Sequence, residues 1–427
     1  MTDNIKRDYI ITFLVTLSVI GATVILYKLA QSQFGTQGFS EFSFVKRIIA
    51  FLAPIMAIGM GVGVPREVAR VNGTETDEQK YEILRNSFLV TVILFAVLII
   101  IINVMSGFLA SLFFGDRKFH YLLNPMASSL FGAMLSSLAY SYYRGLNIFL
   151  VANFIQLVNL IILPIIVILL SSDIPRFLTM YGLLVSWMSI LFVTKHLFHH
   201  TGVLINKSLL FSVTRYSIKR LPGDIALQLM FVIPPILAAH MLNFNAAGDI
   251  SFSLTILTLI TVPLSPLSTL LLPKAVTWMK DGRTDSLRKS TGDILLKVAI
   301  GASLIGIMLF FFSERALVYF LPEREGFDFL ILRVVTTVTL PYSVYIYLRS
   351  FIDAFHEKPY NSINCLIALV IFLCASGILG YAVSPRAGVA TGLVCGFYAL
   401  GVLTYYRIHL DRMILFQSKS LWNSFYS

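Results

Sequence analysis

Charge is scarce in this sequence. Asp, Glu, Lys and Arg make up 13% of its 427 residues, against 57% hydrophobic residues. Soluble domains carry about a quarter charged and about half apolar residues, so the deficit excludes an ordinary water-exposed surface. Cysteine is also rare. Cys365, Cys374 and Cys395 stand in apolar stretches with no C-x-x-C pair, which excludes a disulfide framework and a sulfur-ligated metal site and leaves them as small packing residues. There is no G-x-x-x-x-G-K-[ST] loop, no H-E-x-x-H helix, no G-x-S-x-G elbow and no D-x-D motif. ATP hydrolysis, metalloprotease chemistry and serine acyl transfer therefore lack their residues. No catalytic residue, cofactor or metal is assigned.

Long uncharged runs take the place of charge. Residues 89–115, 145–172, 177–194, 225–248, 250–273, 359–385 and 387–406 contain no Asp, Glu, Lys or Arg. About 20 apolar residues in a helix cross the hydrocarbon layer, and the backbone must satisfy its own hydrogen bonds there. A membrane β-barrel would alternate polar and apolar residues in shorter strands. These runs do not. The expected class is all-α and membrane-embedded, with spans near 9–30, 45–64, 87–107, 121–141, 149–170, 177–195, 222–242, 250–272, 293–313, 328–348, 361–382 and 386–406.

A net charge of +11 raises the question of nucleic acid, whose binders carry basic patches. Here the basic residues follow topology instead. Connections on the side of the N-terminus hold 22 Lys and Arg, and those on the opposite side hold 10. The positive-inside rule then places both termini in the cytoplasm. Lys6 and Arg7 precede a 19-residue uncharged run, and Lys28 stands where a signal-peptide cleavage site would lie; an uncleaved first helix fits better. The connections are short, the longest covering about 196–221, which leaves no room for a sizeable soluble domain.

The chain also repeats itself. Phe34–Phe44, expected between spans one and two, matches Phe244–Leu254, expected between spans seven and eight. Gly38 pairs with Gly248, Phe42 with Phe252 and Ser43 with Ser253. Both copies lead to a Pro-basic pair, Pro65-Arg66 or Pro273-Lys274, and then to a turn, Asn72-Gly73 or Asp281-Gly282. This is two six-helix halves in tandem. Six being even, the halves share one orientation. The expected domains are 1–205, an N-terminal six-helix bundle, and 206–427, a C-terminal six-helix bundle with a short cytoplasmic tail.

The G-x-x-G-F segment after the first helix (Gly35 to Phe39), the Val64-Pro65-Arg66 break and the recurrence of this unit at span seven resemble the polysaccharide and oligosaccharide flippases, O-antigen type, of the multidrug/oligosaccharidyl-lipid/polysaccharide exporter superfamily. The resemblance covers the whole chain as an arrangement of spans. It implies two bundles around a central lumen in a bacterial inner membrane, and transfer of an undecaprenyl-diphosphate-linked glycan from the cytoplasmic to the periplasmic leaflet by alternating access. The implied partners are that glycan, membrane lipids and polysaccharide polymerase machinery, with no nucleic acid. Many members carry an acidic–basic pair in the first helix of the second half. This chain has Pro234-Pro235 near that position, so no ion-coupling role transfers there.

Such cargo asks for intramembrane cations facing a cavity, where ionisable groups are otherwise costly. Spans two, nine and ten cannot reach full length without Lys46 and Arg47, Lys297, and Arg333; Lys28 lies near the outer end of span one. Each can instead snorkel to the interface. Span seven holds Asp224, Gln228, Pro234, Pro235 and His240. Asp224 and Gln228 share a helical face, the prolines suggest a hinge, and an H+ or Na+ site is the corresponding expectation. Alternatively Asp224 is the N-cap of that span, and His240 is a packed histidine. Lys195 to His200 reads as an interfacial segment, and Tyr140, Tyr142, Tyr143, Tyr342, Tyr345 and Tyr347 read as aromatic belts at span ends. Two other functions compete. An ion-coupled drug antiporter of the same superfamily would need a buried acidic site. A membrane glycosyltransferase or polymerase would need a large acidic or metal-bearing loop.

Overall fold

The computed structural model describes residues 3–57, 60–72, 77–197, 207–264, 284–321, 326–355 and 359–417. They are almost wholly helical, as apolar chain in lipid must be when it cannot hydrogen-bond to water. In chain order the helices are α1 (Asp3–Met56), α2 (Met60–Val71), α3 (Asp77–Phe114), α4 (Leu123–Gly145), α5 (Phe149–Leu157), α6 (Leu163–Leu170), α7 (Ile174–Leu197), α8 (Lys207–Met241), α9 (Phe244–Thr261), α10 (Thr284–Phe320), α11 (Phe329–Thr337), α12 (Thr339–Phe355), α13 (Tyr360–Ala382) and α14 (Pro385–Gln417). A 3₁₀ turn (Arg117–Leu122) leads into α4, and a π-helical bulge (Val158–Ile162) joins α5 to α6.

Among the described residues ten helices are long and apolar enough to cross a membrane, or eleven when the bent pair α11 and α12 is one span. Helix α1 is itself two helices, joined at Gly35 with φ 64° and ψ −165°. That division completes the twelve expected spans. The lipid-facing surface is apolar: Ile100, Val104 and Phe108 on α3, Leu304, Met308 and Phe311 on α10, and Val370 and Ile378 on α13 are exposed. Side chains of this kind leave water only if lipid covers them. The protein is a multi-pass membrane protein.

The chain divides into two compact units, residues 1–252 with 317–327, and residues 253–316 with 328–427. In the first unit α4 and α7 pack backbone to backbone. A Cβ on Gly182 would overlap the Ser128 backbone, and one on Gly132 would lie 2.8 Å from the Gly182 carbonyl oxygen. The Ser129 hydroxyl donates across this seam to the Leu178 carbonyl at 2.7 Å. In the second unit Gly388 and Gly392 of α14 meet Ser376 of α13 in the same way, and Gly401 meets Pro341 of α12. Small residues are what lets membrane helices approach this closely.

Several expectations are corrected. Phe34–Phe44 and Phe244–Leu254 are helical segments and not loops, because α1 needs a single residue to reverse and α9 begins at Phe244. Asn243 caps α9, its Oδ1 accepting from the Ala246 N–H at 2.8 Å. Asp224 is no N-cap, since α8 begins at Lys207 and runs through Pro222, Pro234 and Pro235. Tyr142, Tyr143, Tyr342, Tyr345 and Tyr347 are buried, and so form no aromatic belt. Cys365 is buried, but Cys374 is exposed, so it fills no interior gap. Gly73, Pro273, Lys274, Asp281 and Gly282 lie outside the described residues, as do His199 and His200.

Candidate functional site

The reversal at Gly35 builds the site. Tyr27 and Lys46 are 19 residues apart, which a straight helix would separate by about 28 Å. Instead the Lys46 ammonium lies 5.0 Å from the Tyr27 ring centroid and 5.4 Å from that of Phe42. The backbone at Gly35 has φ and ψ values that only glycine adopts without strain, so this residue sets the register of the two arms.

Around Tyr27 the first unit gathers an aromatic cluster. Its fully buried ring meets Phe39, Phe42 and Phe252 edge-on at 5.9, 5.0 and 4.9 Å. Phe252 in turn meets Phe327 at 6.1 Å. The two repeats thus supply opposite walls of one cluster. Ser40 and Gly248 bring their backbones together: a Cβ on Gly248 would lie 2.5 Å from the Ser40 Cα.

One of the expected cations, Lys46, sits at this cluster, and two more lie against other rings. Lys46 is described above. Arg47, 8% exposed, donates from Nη2 to the Ser251 carbonyl at 3.1 Å and lies 5.4 Å over the Phe231 ring. Lys28 is exposed, 5.8 Å from the Phe320 ring. Aromatic faces attract cations through the ring quadrupole, by about 0.5–2 kcal/mol each, so the rings contribute to holding these charges.

The other two cations lie elsewhere. Arg333, on α11, pairs with Glu314 of α10 at 2.8 Å, both side chains well exposed. Lys297 is exposed on α10, 17 residues before Glu314, or about 25 Å along the helix; the structure does not bring them together. Asp224 and Gln228 are half-buried within α8, and Pro234 and Pro235 are buried within it. His240 is exposed in the last turn of α8, its Nε2 3.0 Å from the Leu112 carbonyl.

Sequence reasoning missed two acids. Glu41, 6% exposed, accepts on Oε1 from the Tyr121 hydroxyl at 2.6 Å and the Gln37 amide at 2.9 Å. Asp249, 3% exposed, follows Gly248 at the contact of the two repeats. Both fall in segments expected to be loops, where an acid is unremarkable. Once those segments are helical and packed, both acids are buried carboxyls. His196 was also undervalued: Tyr81, Tyr142 and Tyr143 surround its ring at 5.3, 5.4 and 5.9 Å.

By sequence the chain matches no family model and no curated protein. Solved structures do match it. An inward-facing multidrug-resistance MATE-family transporter of the MOP superfamily superposes with a TM-score of 0.73 at 13% identity, over 96% of this chain and 100% of that one. The fold is that of the MOP-superfamily transporters. A MOP-superfamily transporter from Pyrococcus furiosus, described as having a binding pocket of reverse polarity that suggests a different function, superposes at 0.69 with 12% identity over 97% of both chains. An outward-facing MATE-family transporter of the same superfamily follows at 0.63, with 14% identity and 97% of both chains. These neighbours are transporters, not enzymes.

Proposed function

We propose that this protein flips an undecaprenyl-diphosphate-linked oligosaccharide, an O-antigen or related surface polysaccharide unit, from the cytoplasmic to the periplasmic leaflet of a bacterial inner membrane. Both termini are cytoplasmic in this reading, and the two six-helix halves alternate access to a shared lumen. The observation that carries it is that Lys28, Lys46 and Arg47 each lie against an aromatic ring, Lys46 on the buried Tyr27 cluster and Arg47 next to it in sequence. A diphosphate moving through lipid needs fixed cations to replace its water, and Arg suits phosphate oxygens because its planar fork binds two at once. Aromatic rings beside those cations suit the faces of a glycan. Lys297 and Arg333 belong to the same reading as cations of the second unit.

Drug antiport is the second reading, and the multidrug transporters of the same fold support it. It asks for acids aimed at a cationic cargo, and Glu41 and Asp249 meet part of that requirement. The cations held against aromatic rings favour an anionic cargo instead.

Export of surface glycan in a strain lacking the chromosomal copy separates the two. Arg47→Ala and Arg333→Ala are expected to abolish surface glycan while the protein still inserts, with Arg47→Lys restoring only part of the export. Full export by both alanine variants would end the cationic-path reading. Loss of resistance to a cationic drug, with glycan intact, would support antiport.

A further inference from the structure

At one end of the second unit three spans meet. The bent span formed by α11 and α12 runs to Ile352, the span of α13 begins at Tyr360, and that of α14 runs to His409. Buried Leu348 and Ile352 of α12 and Ile408 of α14, with Tyr360 packed against them, form one apolar cluster that ties these ends together. Tyr405 and Tyr406 on α14 are exposed there. Such rings mark the depth of the lipid headgroups, because tyrosine settles where hydrocarbon gives way to water.

Two arginines stand at this depth. The Arg407 guanidinium carbon lies 3.4 Å from the Tyr360 ring centroid, and that of Arg349 lies 5.8 Å from the Tyr345 centroid. The Asn361 amide, next to Tyr360, donates to the Arg349 carbonyl at 2.7 Å and links the two. Both arginines are half-buried, whereas a snorkelling side chain lifts its head into water. Stacking on a ring occupies the face of a guanidinium. Its N–H groups lie in the plane, and that edge is the one that grips two phosphate oxygens at once. The first unit has half of this arrangement: Arg144 lies 5.4 Å from the Tyr140 ring at the same spacing in sequence, but α7 ends in Lys195 and His196.

One more donor lies deeper. Asn364, 8% exposed, has an amide N–H with no acceptor among the described residues, and a buried donor left so is costly. It follows Tyr360 by four residues along α13, or about 6 Å further into the membrane. Guanidinium groups at the headgroup level with an amide donor beneath them match one ligand chemistry. A glycerophospholipid presents an anionic phosphate outermost and its ester carbonyls, which only accept, just inside. Inorganic phosphate has no acceptor at the second depth, and neither has a prenyl diphosphate, whose chain is hydrocarbon.

We propose that this end of the second unit binds one anionic glycerophospholipid, with its phosphate on Arg349 and Arg407 and an ester carbonyl on Asn364. Basic pockets between membrane helices are known places for such headgroups. The site goes beyond the flippase reading and does not depend on it.

Native mass spectrometry of the full chain tests it, with phosphatidylglycerol and its diether analogue, which lacks the ester carbonyls, supplied in equal amounts to the detergent micelles. The parent is expected to retain one lipid and to favour the diester. Arg349→Gln and Arg407→Gln should each weaken retention about tenfold, the loss of one charge-assisted hydrogen bond. Asn364→Leu should retain the two lipids equally. Arg386→Gln, at the other end of α14 where Arg386 pairs with Asp328 at 3.0 Å, should behave as the parent. Thermal midpoints separate binding from packing: phosphatidylglycerol should raise the parent's midpoint and raise that of Arg407→Gln less, whatever the midpoint without lipid. Equal retention of diester and diether by the parent overturns the proposal, and that comparison needs no variant to fold. So does undiminished retention by both arginine variants, or displacement of the lipid by millimolar inorganic phosphate.

Discussion

Replacing Gly35 by alanine isolates the residue on which the candidate site depends. The space around it is open, with nothing within 4 Å of an added Cβ, so the cost is conformational and not steric. At φ 64° and ψ −165° an L residue bears strain of about 1–3 kcal/mol. The chain could escape by unwinding the reversal, but it would then lose the Tyr27 contacts to Phe39 and Phe42 and the Lys46 contact to Tyr27. Aromatic pairs contribute about 0.5–1.5 kcal/mol, and cation–π contacts about 0.5–2 kcal/mol. Together these three contacts come to about 1.5–5 kcal/mol, above the strain over most of that range. The reversal should therefore persist, and Gly35→Ala should destabilise the protein by roughly the strain alone, about 1–3 kcal/mol. Gly21→Ala is the control. Its added Cβ also meets nothing within 4 Å, and its backbone is helical, so it should stabilise by about 0.5–1 kcal/mol. Unfolding in detergent micelles, followed by SDS titration, should move the two midpoints in opposite directions. Midpoints that shift the same way would refute the argument that Gly35 is required by its dihedral angles.

Gly182→Val should force α4 and α7 apart. Overpacking costs about 1–3 kcal/mol, and the Ser128 and Ser129 bonds across the seam add about 0.6 kcal/mol each; an unchanged SDS midpoint would contradict the packing described. Asp116 lies outside the spans, and the Lys118 backbone N–H, then the Lys118 side chain, hold its carboxyl below the ordinary carboxylate range. A depressed value means that this cap contributes above the ordinary carboxylate pKa and is lost only as pH falls through the lowered one. Thermal stability of Asp116→Ala relative to the parent should thus be constant between neutral pH and pH 6, and a difference that grows on that interval would refute it.

Much of this architecture was legible in the sequence. All twelve spans were, because uncharged runs of membrane length have one solution in lipid. Their ends were harder to read. Thr36, Gln37, Ser40 and Glu41 read as a loop by polarity, yet the helix continues through them, with Ser40 and Glu41 buried against protein. Leu221-Pro222-Gly223 looked like a helix start, but prolines are tolerated in membrane helices when neighbours satisfy the freed backbone. Lys46 and Arg47 were found because their span was too short without them. Nothing local announced that Tyr27, Phe231 and Phe252 would be their neighbours, since those contacts arise from a reversal and from residues some 200 positions away. Glu41 was missed for a related reason. Its significance depends on burial, which one segment read alone does not reveal.

The π-helical bulge at Val158–Ile162 carries one extra residue per turn, and that surplus fixes which way the remainder of the fifth span looks. Upstream, the Asn153 amide reaches Thr12 of α1 at 3.0 Å; within the bulge, the Asn159 amide reaches Ser136 of α4 at 2.9 Å and Ser189 of α7 at 3.1 Å. Deleting a single residue there would rotate everything after it by about 100°. Ile166 and Leu169, which now face lipid, would turn toward protein, so a lineage that lost this residue would have to rebuild the seat of α6 against α7.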